Sequence, residues 1–100
     1  MKPFYIIAHR INQINKIEGV LRKGANAIEL DIRRTGNSLI VSHNAPDAIP
    51  VPLEQYIDSL RGFSIIYPRL ALVIFDVKGL SPECSLLLLN TIRDLSLIHI

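Results

Sequence analysis

Apolar positions along this chain fall into continuous runs and helically spaced ones, in alternation. Phe4 to Ala8 is an unbroken apolar run between Pro3 and His9, and "FYIIAH" predicts a buried strand. In "NQINKIEGVLRKGAN", Ile14, Ile17, Val20 and Leu21 recur at helical spacing; Arg22 and Lys23 give a basic ending and Gly24 a stop. "AIELDIR" predicts a second strand, with Ile28, Leu30 and Ile32 on one side and Glu29 and Asp31 on the other. "TGNS" is a turn into "LIVSH", a hairpin strand. "NAPDAIPVP", with three prolines in nine residues, predicts a loop. "LEQYIDSLRGF" predicts a helix with Leu53, Tyr56, Ile57 and Leu60 on one face. "LALVIFDVK" is the third strong strand. "SPECSLLLLNTIRDL" then predicts a helix, with Ser81 as N-cap and Pro82 at the first helical position.

Strand, helix, strand, helix, strand, helix is the order of a parallel α/β sheet, and near-continuous apolar strands fit sheets covered on both faces. A doubly wound sheet and a (β/α)8 barrel both satisfy it. The missing Gly-rich phosphate turn after the first strand ("AHRINQ") lowers the doubly wound option. The expected fold class is therefore α/β, the N-terminal three β/α units of a (β/α)8 TIM barrel. A whole barrel takes about 250 residues, so at 100 residues the barrel is incomplete. Residues 1–95 are expected to form this part. Residues 96–100, in "LSLIHI", are read as a truncated or non-native tail, and His99 carries no functional weight.

Composition narrows the class further. With 49% hydrophobic residues the chain is no disordered tail. A formal charge of +2 from scattered basic residues gives no stripe with interleaved aromatics, which argues against a nucleic-acid partner. Cys84 is the single cysteine, so no internal disulfide forms, and it reads as a small packing residue, with a reactive thiol the lesser alternative. "MKPFYIIAHR" is too short in apolar residues for a signal-peptide core, and no run reaches membrane-spanning length. A cytoplasmic protein is the expectation, with secretion open where the N-terminus is incomplete. Oligomeric state stays open.

Polar groups recur at the ends of the strands. His9 and Arg10 follow the first, Glu29 and Asp31 lie near the end of the second, His43 ends the hairpin, and Asp76 and Lys78 end the third. In parallel α/β folds such ends share a rim where ligands bind. Glu29, Asp31 and Asp76 offer oxygen only, which suits Mg2+ or Ca2+; paired with Arg33, Arg34 or Lys78 they would instead be surface salt bridges. His9 and His43 could divide base and acid roles, and a zinc site from His9, His43 and Asp31 is a further arrangement these residue types allow. Arg10 and Lys78 add fixed positive charge and favour an anionic substrate such as a phosphodiester.

"IAHRINQINKIEGVLRKGANAIELDI", then "VSHNAP" and "IFDVK", resembles the glycerophosphodiester phosphodiesterase-like superfamily. Within it the chain is most similar to the sphingomyelinase D/phospholipase D branch, known from spider venoms, bacteria and fungi. The branch pattern is a histidine after strand one, an Asn three residues on (Asn12), a "GAN-x-IE-x-D" segment (Gly24 to Asp31) and an "FD-x-K" strand end (Phe75 to Lys78). Glycerophosphodiesterases proper show His-Arg-Gly and a Glu-Asn-Thr segment; here Ile11 follows His9-Arg10 and no Glu-Asn-Thr occurs.

The resemblance implies a (β/α)8 barrel with one Mg2+ held by Glu29, Asp31 and Asp76. It makes His9 and His43 the acid/base pair, with His9 the base, and has Lys78 bind phosphate. It implies cleavage of a phospholipid head group by attack of a neighbouring substrate hydroxyl, giving a cyclic phosphate, with peripheral contact to a membrane surface. Hydrolysis of glycerophosphodiesters is the alternative, to which Arg10 leans; an inactive fragment or binding protein is a third. The loop after His43 lacks the cysteine of the venom enzymes, which argues for a non-venom relative. Lacking strands four to eight, the chain alone is expected to be poorly soluble or inactive.

Overall fold

The computed structural model describes residues 4–42, 50–77, 79 and 81–95. The elements in chain order are β1 (Ile7–Ala8), α1 (Ile14–Arg22), β2 (Ala27–Thr35), β3 (Ser38–Val41), β4 (Val51–Pro52), α2 (Leu53–Ile66), β5 (Leu72–Val77) and α3 (Pro82–Leu95). They make a small α/β domain with one mixed five-stranded sheet and three helices.

Strand β2 organises the sheet. Strand β5 runs parallel along one edge, from Ala27↔Leu72 to Ile32↔Val77. The other edge is shared: β1 pairs parallel at Ala27 and Ile28, and β3 pairs antiparallel at residues 32–35. Strand β4 extends the hairpin, with Val41 opposite Val51 and Ile40 opposite Pro52.

Strand alternation separates the two sheet faces. Ile28, Leu30 and Ile32 of β2 and Val73 of β5 join Ile17 and Leu21 of α1 and Leu53, Tyr56, Ile57 and Leu60 of α2 in one buried cluster, with Phe75, Val77, Leu87 and Leu88 packed on it. All three helices thus cover the same side of the sheet. Each fully buried Leu or Ile contributes about 1.5–3 kcal/mol, so this layer carries the fold. The opposite face of β2 and β5 carries Glu29, Asp31, Ile74 and Asp76.

Punctuation by glycine follows the sequence reading. Helix α1 ends with Gly24 at φ 110, where the Ala25 amide donates to the Val20 carbonyl (3.0 Å) and the Gly24 amide to that of Leu21 (3.1 Å). That is a Schellman closure, which needs a left-handed residue at this position. Gly36, at φ 60, takes the first central position of the two-residue turn between β2 and β3, as a type II′ turn requires.

Three expectations are corrected. "FYIIAH" is not a buried strand: only Ile7 and Ala8 pair as a strand, and Phe4 is 81% and Ile6 53% exposed. Among the described residues only one edge of this segment has a strand neighbour, and Asn26 clamps it there. The Asn26 side chain accepts from the Ile6 amide (2.6 Å) and donates to the Phe4 carbonyl (2.8 Å). "NAPDAIPVP" is not wholly loop, because its last two residues form β4; Pro52 is tolerated there because β4 is an edge. Helix α2 runs three residues beyond "RGF" to Ile66, since the exposed Gly62 does not break it and Pro68 supplies the stop.

Candidate active site

Register brings the acidic residues together. Asp31 and Asp76 are direct partners in the parallel β2–β5 pair, so their side chains leave neighbouring strands, about 4.8 Å apart, on the same face. Glu29, two residues before Asp31, shares that face. The reason lies opposite: Ile28, Leu30 and Ile32 must pair with Val73, Phe75 and Val77 against the helices, and that fixes the polar partners.

Beyond Ala8 the chain leaves β2 and returns at Ile11, whose amide donates to the Glu29 carbonyl (2.9 Å). The excursion contains His9 and Arg10. The exposed His9 ring (side chain 69% accessible) sets Nδ1 3.2 Å from Glu29 Oε1. With the proton on Nδ1, His9 donates to the Glu29 carboxylate, and the unprotonated Nε2 is free to accept a proton. Arg10 has φ 55, the single left-handed non-glycine among the described residues. An L-residue there costs roughly 1–2 kcal/mol, and such backbone persists where its surroundings over-determine it.

The surroundings are specific. The Asn12 side chain donates to Asp31 Oδ2 (2.9 Å) and accepts from the Asp31 amide (2.8 Å). The Tyr56 hydroxyl donates to the Ile11 carbonyl from α2. Burial pushes the Tyr56 phenol well above its usual pKa, so it stays a donor. Asp31 is 1% exposed, a buried carboxylate that accepts a hydrogen bond from the Asn12 side chain.

The structure therefore gathers His9, Glu29, Asp31 and Asp76 on one face, with Arg10 beside them. His43, Lys78, the loop residues 44–49, the Cys84 side chain and the tail 96–100 lie outside the described residues. Arg34 pairs with Glu83 (3.3 Å) and hydrogen-bonds the Gly36 carbonyl, so it serves the hairpin rather than the site carboxylates. Arg10 makes no ion pair among the described residues. Among those residues, too, no three His, Cys, Asp or Glu side chains form a group that could hold a metal ion; Glu29 turns toward His9. The donor chemistry of Glu29, Asp31 and Asp76 is nonetheless that of a hard cation, all carboxylate oxygen. No described helix is long and apolar enough to cross a membrane.

Sequence reasoning missed Tyr56, and it read Asn26 only as a motif residue without its clamping role. Tyr56 read as one more apolar residue of a helix stripe. The signal was that it alone on that face carries a hydroxyl, which when buried requires a partner.

The site is thus an acidic face of an α/β sheet, turned away from its helices, with a carboxylate-oriented histidine at the first strand end. Residues 1–79 match the family model described as Dermonecrotic toxin SPH, and the chain belongs to this family, in the sphingomyelinase D branch of the glycerophosphodiester phosphodiesterase-like superfamily. It is similar to Dermonecrotic toxin SPH of Ixodes scapularis, at 35% identity over 97 residues, covering 82% of this chain and 27% of that protein. It is also similar to Dermonecrotic toxin StSicTox-betaIB1i of Sicarius terrosus, at 30% identity over 108 residues, covering 95% of this chain and 38% of that protein. The chain thus spans about a third of the length of these relatives.

Proposed function

We propose that this chain is the N-terminal, site-bearing part of a phosphodiesterase that cleaves the head group of phospholipids such as sphingomyelin or lysophosphatidylcholine. The observation that carries the reading is the shared face: His9 on Glu29, beside the paired Asp31 and Asp76. Family membership supports the same chemistry. The parallel order β1-β2-β5, with a helix after each parallel strand, supports these as the first three units of a (β/α)8 barrel, residues 1–95 being their extent.

In this reading His9, oriented by Glu29, takes the proton from the attacking substrate hydroxyl at Nε2, and His43 returns one to the leaving alcohol. The attacking hydroxyl belongs to the substrate, so attack is intramolecular and gains from proximity; the product is a cyclic phosphate. Arg10 and Lys78 bind the phosphoryl oxygens. Glu29, Asp31 and Asp76 would hold Mg2+, which when bound supplies positive charge opposite the developing negative charge. The substrate is a lipid, so the parent protein meets a membrane surface peripherally. The relatives are named toxins, which favours a secreted parent over the cytoplasmic expectation.

Phosphorus NMR of the full-length protein acting on lysophosphatidylcholine tests this. A cyclic phosphate product, lost on chelation and in His9→Ala, is expected. Turnover unaffected by both changes would refute the mechanism, and a linear product from glycerophosphodiesters alone would move the protein to that substrate class.

A further inference from the structure

The His9–Asn12 excursion leaves the regular strand backbone beside the site, and its anchors come from different parts of the chain. The Ile11 amide is taken by the Glu29 carbonyl, and the Asn12 amide by the Arg10 carbonyl (3.0 Å). The Asn12 side chain is taken by Asp31. One further anchor reaches across from a helix: the hydroxyl of Tyr56, a fully buried residue of α2, donates to the Ile11 carbonyl. The rest of the Tyr56 side chain is core, packed with Leu53, Ile57 and Leu60. Its hydroxyl is thus separable from its packing, and it touches neither His9 nor the carboxylates.

We propose that Tyr56 is a positioning residue of the site: through the Ile11 carbonyl it holds the excursion in the conformation that gives Arg10 its left-handed backbone and sets His9 on Glu29. The mechanical logic is short. Ile11 has its amide on β2 and its carbonyl on α2, so the peptide planes on either side of it are fixed to the sheet and to the helix layer. His9 and Arg10 must then bridge from Ala8 to a fixed point in two residues, which forces the unusual φ. Without the hydroxyl, the Ile11 carbonyl is free to rotate toward solvent, and the bridge relaxes. Catalysis is sensitive to displacements of this size, about an ångström.

Tyr56→Phe in the full-length protein isolates the hydroxyl. The expected result is a changed 15N signal of the His9 imidazole and shifted Arg10, Ile11 and Asn12 amide signals, with the rest of the spectrum retained. Alongside it kcat falls about tenfold while KM stays within twofold. The kinetic part rests on the phosphodiesterase reading; the NMR part does not. If the wild type shows no turnover, that reading fails and the loop signals alone decide. His9 and loop signals identical to wild type overturn the proposal, as does a kcat loss matched by general loss of dispersed signals. Should Tyr56→Phe fail to fold, 3-fluorotyrosine at position 56 keeps the hydroxyl with altered donor strength. It must then shift the Ile11 carbonyl and Asn12 amide signals, and unchanged signals overturn the proposal equally.

Discussion

Asn12 and Asp31 hold each other twice. One amide side chain accepts from the Asp31 backbone at 2.8 Å and donates to its carboxylate at 2.9 Å, so a residue from the first connection completes the hydrogen bonding of a buried carboxylate in the second strand. Asn12→Ala removes both of these hydrogen bonds at once from a buried residue. The expected loss is about 1–3 kcal/mol, read as a lower urea midpoint with unchanged slope. A midpoint equal to wild type would mean that solvent replaces Asn12 without penalty.

His9 should separate activity from stability. Its side chain is largely exposed and its contact with Glu29 is a single one at 3.2 Å. In the full-length protein, His9→Ala is expected to leave the melting temperature within a few degrees while turnover falls about 10²–10⁴-fold. A folded variant with near-normal turnover removes His9 from the mechanism.

Arg10 offers the opposite test, because its backbone is strained and its side chain is not paired among the described residues. Arg10→Gly relieves φ 55 and is expected to stabilise by about 0.5–1 kcal/mol, while Arg10→Val destabilises. If the guanidinium also binds substrate phosphate, KM rises in both variants. Equal stability for Gly and Val at this position would show that the left-handed conformation is not required.

Tyr56 predicts an alkaline limit. Burial raises its phenol above the ordinary tyrosine value of 10.0, so above about pH 10 the unfolded chain loses a proton that the folded chain keeps. Stability contributed by the neutral buried phenol is complete below pH 10 and falls as pH rises, by about 1.4 kcal/mol per pH unit. Melting curves from pH 8 to 11 should show a steeper decline for wild type than for Tyr56→Phe; parallel curves would contradict a buried, neutral phenol.

What the sequence made legible was local. The alternation of Ile28, Leu30 and Ile32 with Glu29 and Asp31 states a strand and its two faces, and Gly24 and Gly36 mark the ends of elements through backbone conformations that side chains disfavour. The hydrogen bonds that complete the site were not legible, because they join Asn12 to Asp31 and Tyr56 to Ile11 across intervening elements. No periodicity encodes a bond between residues 45 apart. The first strand misled for a related reason: an apolar run reports what a segment avoids, not whether a neighbour is present to cover it. Asn26, which holds that strand in place, stood in the sequence as part of the "GAN" motif with no structural role attached.

The pairing of β2 with β5 carries one more consequence. Asp31 faces Asp76 only while Leu30 faces Phe75 and Ile32 faces Val77, and a shift of one residue would exchange the two faces of β5 entirely. Loops at the strand ends are therefore free to change in length and composition without moving the two acids relative to each other. A single insertion inside β5 ahead of Phe75 would push Asp76 into oil and Phe75 into water, so the greasy side of the sheet proofreads the acidic one each time the chain folds.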